Sequence, residues 1–251
     1  MTATPSDDRK YRHQRERLVE TLRERGIHDE RVLSAVGAVA RHAFVDPALR
    51  DRAYADEALP IGLNQTISQP FTVAYQTALL GVQPDDRILE VGTGSGFQAA
   101  VLCEMGARVY SIERHDDLLR RARSVLDGLG YDVRTRHGDG TRGWPAFAPY
   151  DGIVVTAGAP EIPAPLLHQL REPSGEDDGP GGRLVIPIGG REGQTMTRVR
   201  RTGSGPHDYE QEEFHSFRFV PLVDEDEGGG SGGASVPPAE RVRRAASRPQ
   251  W

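Results

Sequence analysis

A single cysteine, Cys103, and a single lysine, Lys10, occur in 251 residues. One thiol excludes an intramolecular disulfide and any cysteine-rich zinc site. Cys103 closes the run Ala99-Ala100-Val101-Leu102-Cys103, where it reads as a small buried hydrophobe and not as a nucleophile. The eight histidines show no His-x-x-x-His spacing, so no metal is expected. Excess positive charge is missing too: 31 basic against 37 acidic side chains give a net charge of -6, which offers no global attraction to nucleic acid or anionic lipid. No apolar run approaches the roughly 20 residues of a membrane span, and Met1–Lys10 lacks the apolar core of a secretion signal. The expectation is a cytoplasmic protein with no membrane or nucleic-acid partner.

Hydrophobic residues make up only 37% of the chain, and the mean hydropathy is -0.54. Apolar positions nevertheless gather into short runs between residues 70 and 222, which predicts a folded middle with polar ends. Residues 9–25 read as a charged surface helix stopped by Gly26. Asp29 can cap a second helix that carries Val32, Leu33, Val36 and Val39 on one face. Residues 56–69 form a long stretch of turn formers and small polar side chains, read as a functional loop. Pro70 then suits the first turn of a helix to about Leu80.

Past Gly81 the pattern changes to short apolar strands alternating with helices. Strands are expected at 87–91, 108–112, 132–137, 151–156 and 183–188, with helices from 97 to about 105, at 116–128 and at 163–170. Residues 195–201 and 214–222 read as a closing antiparallel pair. The fold class is therefore α/β: a doubly wound, mostly parallel, seven-stranded Rossmann-like sheet with helices on both faces and an N-terminal helical extension. Residues 1–223 are expected to be the domain, with helices and a substrate loop at about 9–81 and the sheet at about 82–223. The stretch 172–180 reads as an exposed excursion, and 224–251, with its Gly-rich run and arginine-rich end, as a disordered tail.

The strongest motif is Glu90-Val-Gly-Thr-Gly-Ser-Gly96 between a strand and a helix. Its glycines, Gly92, Gly94 and Gly96, let a ligand approach the backbone, and Thr93 and Ser95 lie between them. A dinucleotide fingerprint would place its third glycine at position 97, which is Phe97 here, so a nucleoside without a pyrophosphate is favoured. Glu113 ends the next strand, where a carboxylate can accept from ribose hydroxyls. Asp139, in Gly138-Asp139-Gly140, is placed to accept from an adenine amino group, although Asp-Gly is also an ordinary turn. Two acids ending adjacent strands oppose a bound phosphate.

These motifs, together with Leu59-Pro-Ile-Gly62, Gln65-Thr-Ile-Ser-Gln-Pro70 and Gly182-Arg-Leu-Val-Ile-Pro-Ile-Gly189, make the chain resemble the protein-L-isoaspartate O-methyltransferases over about residues 10–223. The resemblance implies a class I methyltransferase that uses S-adenosyl-L-methionine to methylate isoaspartyl residues of damaged proteins and peptides, which begins their repair. It implies that Ser68 is the active-site serine and that Gln65, Thr66 and Ile67 share its loop beside the cofactor. It also places Ser95, Glu113, Arg114, Asp139, Gly140 and Gln194 on cofactor-contact positions, with a monomer as the expected state. Leu63-Asn64 departs from the more usual Gly-containing pair of the family.

The residues support that chemistry independently. A carboxylate acceptor with a pKa near 4 is ionised at neutral pH and needs no general base to attack a sulfonium methyl. Orientation is what remains to be supplied, and Ser68 and Thr66 could fix the acceptor by hydrogen bonds. For Ser68 the competing reading is a helix-capping hydroxyl before Pro70; no Gly-x-Ser-x-Gly elbow surrounds it. Methylation of nucleic-acid bases or of small molecules is a second reading. Thr156-Ala-Gly-Ala-Pro160 stands against the base-modifying form, because it lacks an Asx-Pro-Pro-aromatic sequence after the fourth strand. A cofactor-binding protein without turnover is a third.

Overall fold

The structure, a computed structural model, describes residues 5–174, 181–190 and 192–222, with side chains from Lys10 onward. The expected tail at 224–251, the end of the 1–223 domain and most of the 172–180 excursion lie outside the described residues.

Helix α1, Pro5–Glu24, and helix α2, Glu30–Ala38, form the N-terminal extension. Asp29 caps α2 by accepting from the amides of Arg31 and Val32, and the helix buries Val32, Leu33, Ala35 and Val36, as its spacing predicts. Residues 56–69 are not one open loop. Strand β1, Leu59–Gly62, pairs antiparallel with strand β2, Gln65–Ile67, around Leu63 and Asn64, both at positive φ (52° and 57°). Consecutive left-handed residues make the tight hairpin turn that normally selects Asn-Gly, and for that reason Leu-Asn gave no hairpin signal.

Helix α3, Pro70–Leu80, leads into the main sheet. Its strands are β3 (Arg87–Val91), β4 (Arg108–Glu113), β5 (Val133–His137), β6 (Gly152–Val155), β7 (Arg183–Ile188), β8 (Gln194–Arg201) and β9 (Tyr209–Phe217), in the order β5-β4-β3-β6-β7-β8-β9. Strands β3 to β7 are parallel, and β8 and β9 close the sheet antiparallel. Helices α4 (Phe97–Glu104), α5 (Asp116–Leu129) and α6 (Ala164–His168) follow β3, β4 and β6. The strand order reverses beside β3, where an open α/β sheet leaves a crevice at its carboxyl ends.

Period-2 alternation splits the core between the two faces. Ile88, Val109, Val154 and Val185 join the cluster that includes α1 to α4, while Leu89, Tyr110, Ile153 and Leu184 join one with Leu166 and Leu170. Glu90 and Ser111 lie on the first face, each two residues after an apolar member of that cluster.

The last strand differs from expectation at both ends, since 214–222 becomes 209–217. Its start, Tyr-Glu-Gln-Glu-Glu, carries no apolar alternation. Cross-strand ion pairs to β8 hold it instead: Arg198–Glu212 at 2.6 Å and Arg200–Glu210. Beyond Phe217, Pro221 has no N–H for a ladder. Residues 218–222 instead cross the sheet end as a strap in which Gly158 N–H donates to Val220 O and Leu222 N–H to Gly158 O, each at 2.7 Å. No described helix is long and apolar enough to cross a membrane.

Candidate active site

At the carboxyl ends of β3 and β4 lies a cavity of about 410 Å³, within the range that holds small organic ligands. Its floor is the β3–α4 turn. Gly92 adopts φ +98°, and a Cβ there would lie 2.4 Å from Thr156 Oγ1, so only glycine fits. Thr156 Oγ1 donates to Gly92 O at 2.7 Å, which ties the turn to the end of β6. Gly140 closes the wall tightly, because a Cβ on it would meet Val91 Cγ1 at 2.4 Å.

Two main-chain amides orient Glu113. Gly94 N–H donates to its Oε2 at 2.8 Å and His115 N–H to its Oε1 at 2.9 Å. A carboxylate has about four lone-pair sites, so two remain for ligand hydroxyls. Glu90 is different. It is fully buried, and its Oε2 accepts from Ser111 Oγ, itself 2.5 Å from Thr93 Oγ1. Oε1 has no partner, and burial, reinforced by the nearby Glu113 charge, pushes the carboxyl up to about 8.

The loop at 65–68 forms the opposite wall. Gln65, Thr66, Ile67 and Ser68 all line the cavity, and among the described residues neither the Ser68 nor the Thr66 hydroxyl makes a hydrogen bond. The capping alternative for Ser68 is not what the helix shows: Gln69 occupies the N-cap of α3 without a side-chain cap bond. A second cavity, about 690 Å³, lies behind the loop and meets the first along Thr66, Ser68, Thr156 and Val220.

Of the residues singled out by sequence, the structure brings Glu90, Gly92, Thr93, Gly94, Ser95, Glu113, Arg114 and Gly140 to the cavity with the four loop residues. Gly96, Asp139 and Gln194 are not on its wall. Gly96 packs beneath Leu126 of α5. Asp139 turns its carboxylate back to cap the turn at Gly140–Arg142, accepting from Thr141 N at 2.9 Å and Thr141 Oγ1 at 2.7 Å. Gln194 spends its amide on Gly190 O (2.6 Å) and Phe219 N (2.8 Å), and so anchors the strap. Sequence reasoning missed Asn64, Gln98, His115, Leu118 and the strap residues Val220, Pro221 and Leu222. His115 and Leu118 follow Glu113 closely and were within reach of the motif, whereas the strap arrives from 100 residues downstream with no motif of its own.

Comparison with known proteins agrees with this geometry. The family model for protein-L-isoaspartate(D-aspartate) O-methyltransferase matches residues 13–227. The chain belongs to this family. The protein-L-isoaspartate O-methyltransferase of Christiangramia forsetii is 50% identical over 218 residues, covering 86% of this chain and 97% of that protein. The protein of the same description from Chlorobaculum tepidum is 52% identical over 210 residues, covering 83% and 93%. A solved protein-L-isoaspartate O-methyltransferase structure superposes with a TM-score of 0.70 at 27% identity, over 83% of this chain and 66% of that longer one. A Plasmodium falciparum protein-L-isoaspartate O-methyltransferase structure in complex with S-adenosyl-L-homocysteine, 24% identical over 83% of this chain and 97% of that one with a TM-score of 0.69, shows the same fold. Within the family frame, the hydroxyls of Ser68 and Thr66 occupy the common wall of the two cavities.

Proposed function

We propose that the first cavity holds S-adenosyl-L-methionine, that the second admits the peptide, and that Ser68 and Thr66 orient the acceptor between them. The protein is a protein-L-isoaspartate O-methyltransferase: it methylates the free α-carboxylate of L-isoaspartyl residues in damaged proteins and peptides. The observation that carries the division of labour is the shared wall, where two unspent hydroxyls separate a glycine-floored cavity from a roomier one.

The residues present fit the cofactor. Glu113 has two lone-pair sites left after its main-chain bonds, suited to ribose hydroxyls, and the Glu90 carboxyl, which burial holds protonated at neutral pH, leaves its Oε1 as an unpartnered buried polar group under the same cavity. The Gly92–Gly96 turn, with Thr93 and Ser95, supplies close backbone approach, and Gln65, Ile67 and Arg114 supply flanking walls. Gly140 supports an adenine-side contact from its place on the wall. Asp139, immediately before it, contributes by holding that turn, and Gln194 by holding the strap. When bound, S-adenosyl-L-methionine supplies an electrophilic methyl on a sulfonium sulfur.

The chain's own contribution is alignment and exclusion of water. An acceptor carboxylate is already ionised at neutral pH, so no base is required. Ser68 and Thr66 donate hydrogen bonds that hold one carboxylate oxygen toward the first cavity, and correct alignment alone contributes about 7 to 11 kcal/mol. The strap at 220–222 covers the junction. The protein is proposed to act as a cytoplasmic monomer with residues 1–223 as the catalytic unit, and its net charge of -6 offers no global attraction to nucleic acid or anionic membrane.

The test is transfer of labelled methyl to a pair of peptides that differ only in an isoaspartyl or aspartyl linkage. Transfer to the isoaspartyl peptide alone is expected; equal labelling of both, or of neither, overturns the reading.

A further inference from the structure

The acceptor loop has no regular element to hold it in place beyond the three residues of β2, yet its two hydroxyls must be held to a fraction of an ångström to align an acceptor. One partly buried side chain binds the loop's far end from three directions. Asp56, whose side chain is 10% exposed, accepts the Phe71 N–H on Oδ1 at 2.8 Å, in the first turn of α3. Its Oδ2 accepts from Gln69 Nε2 at 3.1 Å and from Arg25 Nη1, and its main-chain oxygen accepts from Gln69 Nε2 at 2.9 Å. Ser68 directly precedes this clamped pair.

The clamp is itself backed. Arg25 reaches over from the end of α1 and lies 4.0 Å above the Phe71 ring, which stacks on Tyr75 and Phe217. Behind it, fully buried Arg41 grips the segment that carries Asp56 by donating to Ala53 O at 2.7 Å and Glu57 O at 3.1 Å. Arg25, Gln69 and Phe71 all face the second cavity beside Thr66 and Ser68.

We propose that Asp56 is a positioning residue for methyl transfer: by holding Phe71, Gln69 and Arg25 at once, it fixes the acceptor loop so that Ser68 and Thr66 meet the substrate carboxylate. The inference rests on the roles assigned to those two hydroxyls. Asp56 touches neither substrate nor cofactor and acts through the loop alone.

The experiment compares Asp56→Ala, Asp56→Asn, Arg25→Ala and Arg25→Lys in the full chain, with Glu30→Gln as a control that breaks only the exposed pair with Arg23. Turnover of an isoaspartyl peptide, calorimetric binding of S-adenosyl-L-homocysteine and amide exchange at residues 65–71 and 92–96 are measured together. Asp56→Ala lowers kcat by about 100-fold, the scale of a 1 Å misplacement. S-adenosyl-L-homocysteine affinity falls far less than kcat, because only the 65–68 wall of its cavity is loosened, and exchange quickens at 65–71 but not at 92–96. Asp56→Asn, which keeps an acceptor for Phe71 but loses the ion pair, falls between, and Arg25→Lys retains more turnover than Arg25→Ala. Unchanged kcat in Asp56→Ala, or a parallel loss of S-adenosyl-L-homocysteine affinity, overturns the proposal. A wild-type protein that labels no isoaspartyl peptide sinks the functional reading instead, and the exchange data then decide the brace: unchanged protection at 65–71 in Asp56→Ala overturns it.

Discussion

Ser111 stands opposite Glu90 in the parallel register of β3 and β4, and its hydroxyl donates to Glu90 Oε2 while its oxygen lies 2.5 Å from Thr93 Oγ1. That pairing links the two strand ends to the glycine turn, but it satisfies only Oε2 of a fully buried carboxyl whose Oε1 has no hydrogen-bond partner.

Burial holds the Glu90 carboxyl at about 8, against an ordinary value of 4.5. Between these values the unfolded chain releases the proton and the folded chain keeps it, so the stability this group contributes is full below about pH 4.5 and is lost as pH rises to about 8. Glu90→Gln removes that dependence. Its stability relative to wild type should climb from pH 5 to pH 8 and then level off in denaturant titrations of the ligand-free protein. Parallel curves for the two proteins across this range would contradict the assignment.

Glu113→Ala should weaken S-adenosyl-L-homocysteine binding by about 1 to 3 kcal/mol, the cost of losing a charged acceptor. The amides of Gly94 and His115 lose their partner as well, so Glu113→Gln, which keeps one acceptor oxygen, is expected to lose less. Isothermal calorimetry measures both, and an unaltered Kd in the alanine variant refutes the role.

Ser68→Ala should cut turnover of an isoaspartyl peptide by about 10- to 100-fold, equivalent to a hydrogen bond to a charged group of roughly 1.5 to 3 kcal/mol. Binding of S-adenosyl-L-homocysteine should stay intact, because the hydroxyl is assigned to the acceptor side. Adding Thr66→Ala should deepen the loss. A large drop in S-adenosyl-L-homocysteine affinity from Ser68→Ala alone would move Ser68 to the other cavity.

Leu63 holds φ +52° with 48% of its surface exposed at the hairpin turn. A left-handed conformation costs a residue with a Cβ about 1 to 2 kcal/mol, part of which glycine returns as unfolded-state entropy. Leu63→Gly is therefore expected to raise stability by about 0.5 to 1 kcal/mol, seen as a higher Tm. A lower Tm would mean that contacts of the Leu63 side chain at the cavity outweigh the backbone strain.

Most of the sheet was legible because its central strands are dominated by apolar residues and alternate with helices that bury an apolar face or, in α4, nearly every side. Arg87–Val91 and Arg183–Ile188 fall where their patterns place them. Two elements were not legible, for opposite reasons. The hairpin at 59–67 uses Leu63-Asn64 where turn chemistry would call for glycine, and β9 begins in Tyr-Glu-Gln-Glu-Glu, held by arginines on its neighbour. In both cases a partner in space replaced the local signal.

The sequence by itself determined the alternation of the parallel strands and helices past Gly81, the glycine turn, the acids at 90 and 113 and the segment that carries Ser68, because each rests on local backbone demands or hydrophobic period. Only the tertiary structure decided that Asp139 and Gln194 serve as braces away from the cavity wall, that residues 220–222 complete that wall, and that Asp56 clamps Gln69 and Phe71. A polar side chain's role is set by which donors and acceptors reach it, and for these residues the deciding partners, or the wall itself, are assembled by folding and not by the residue type.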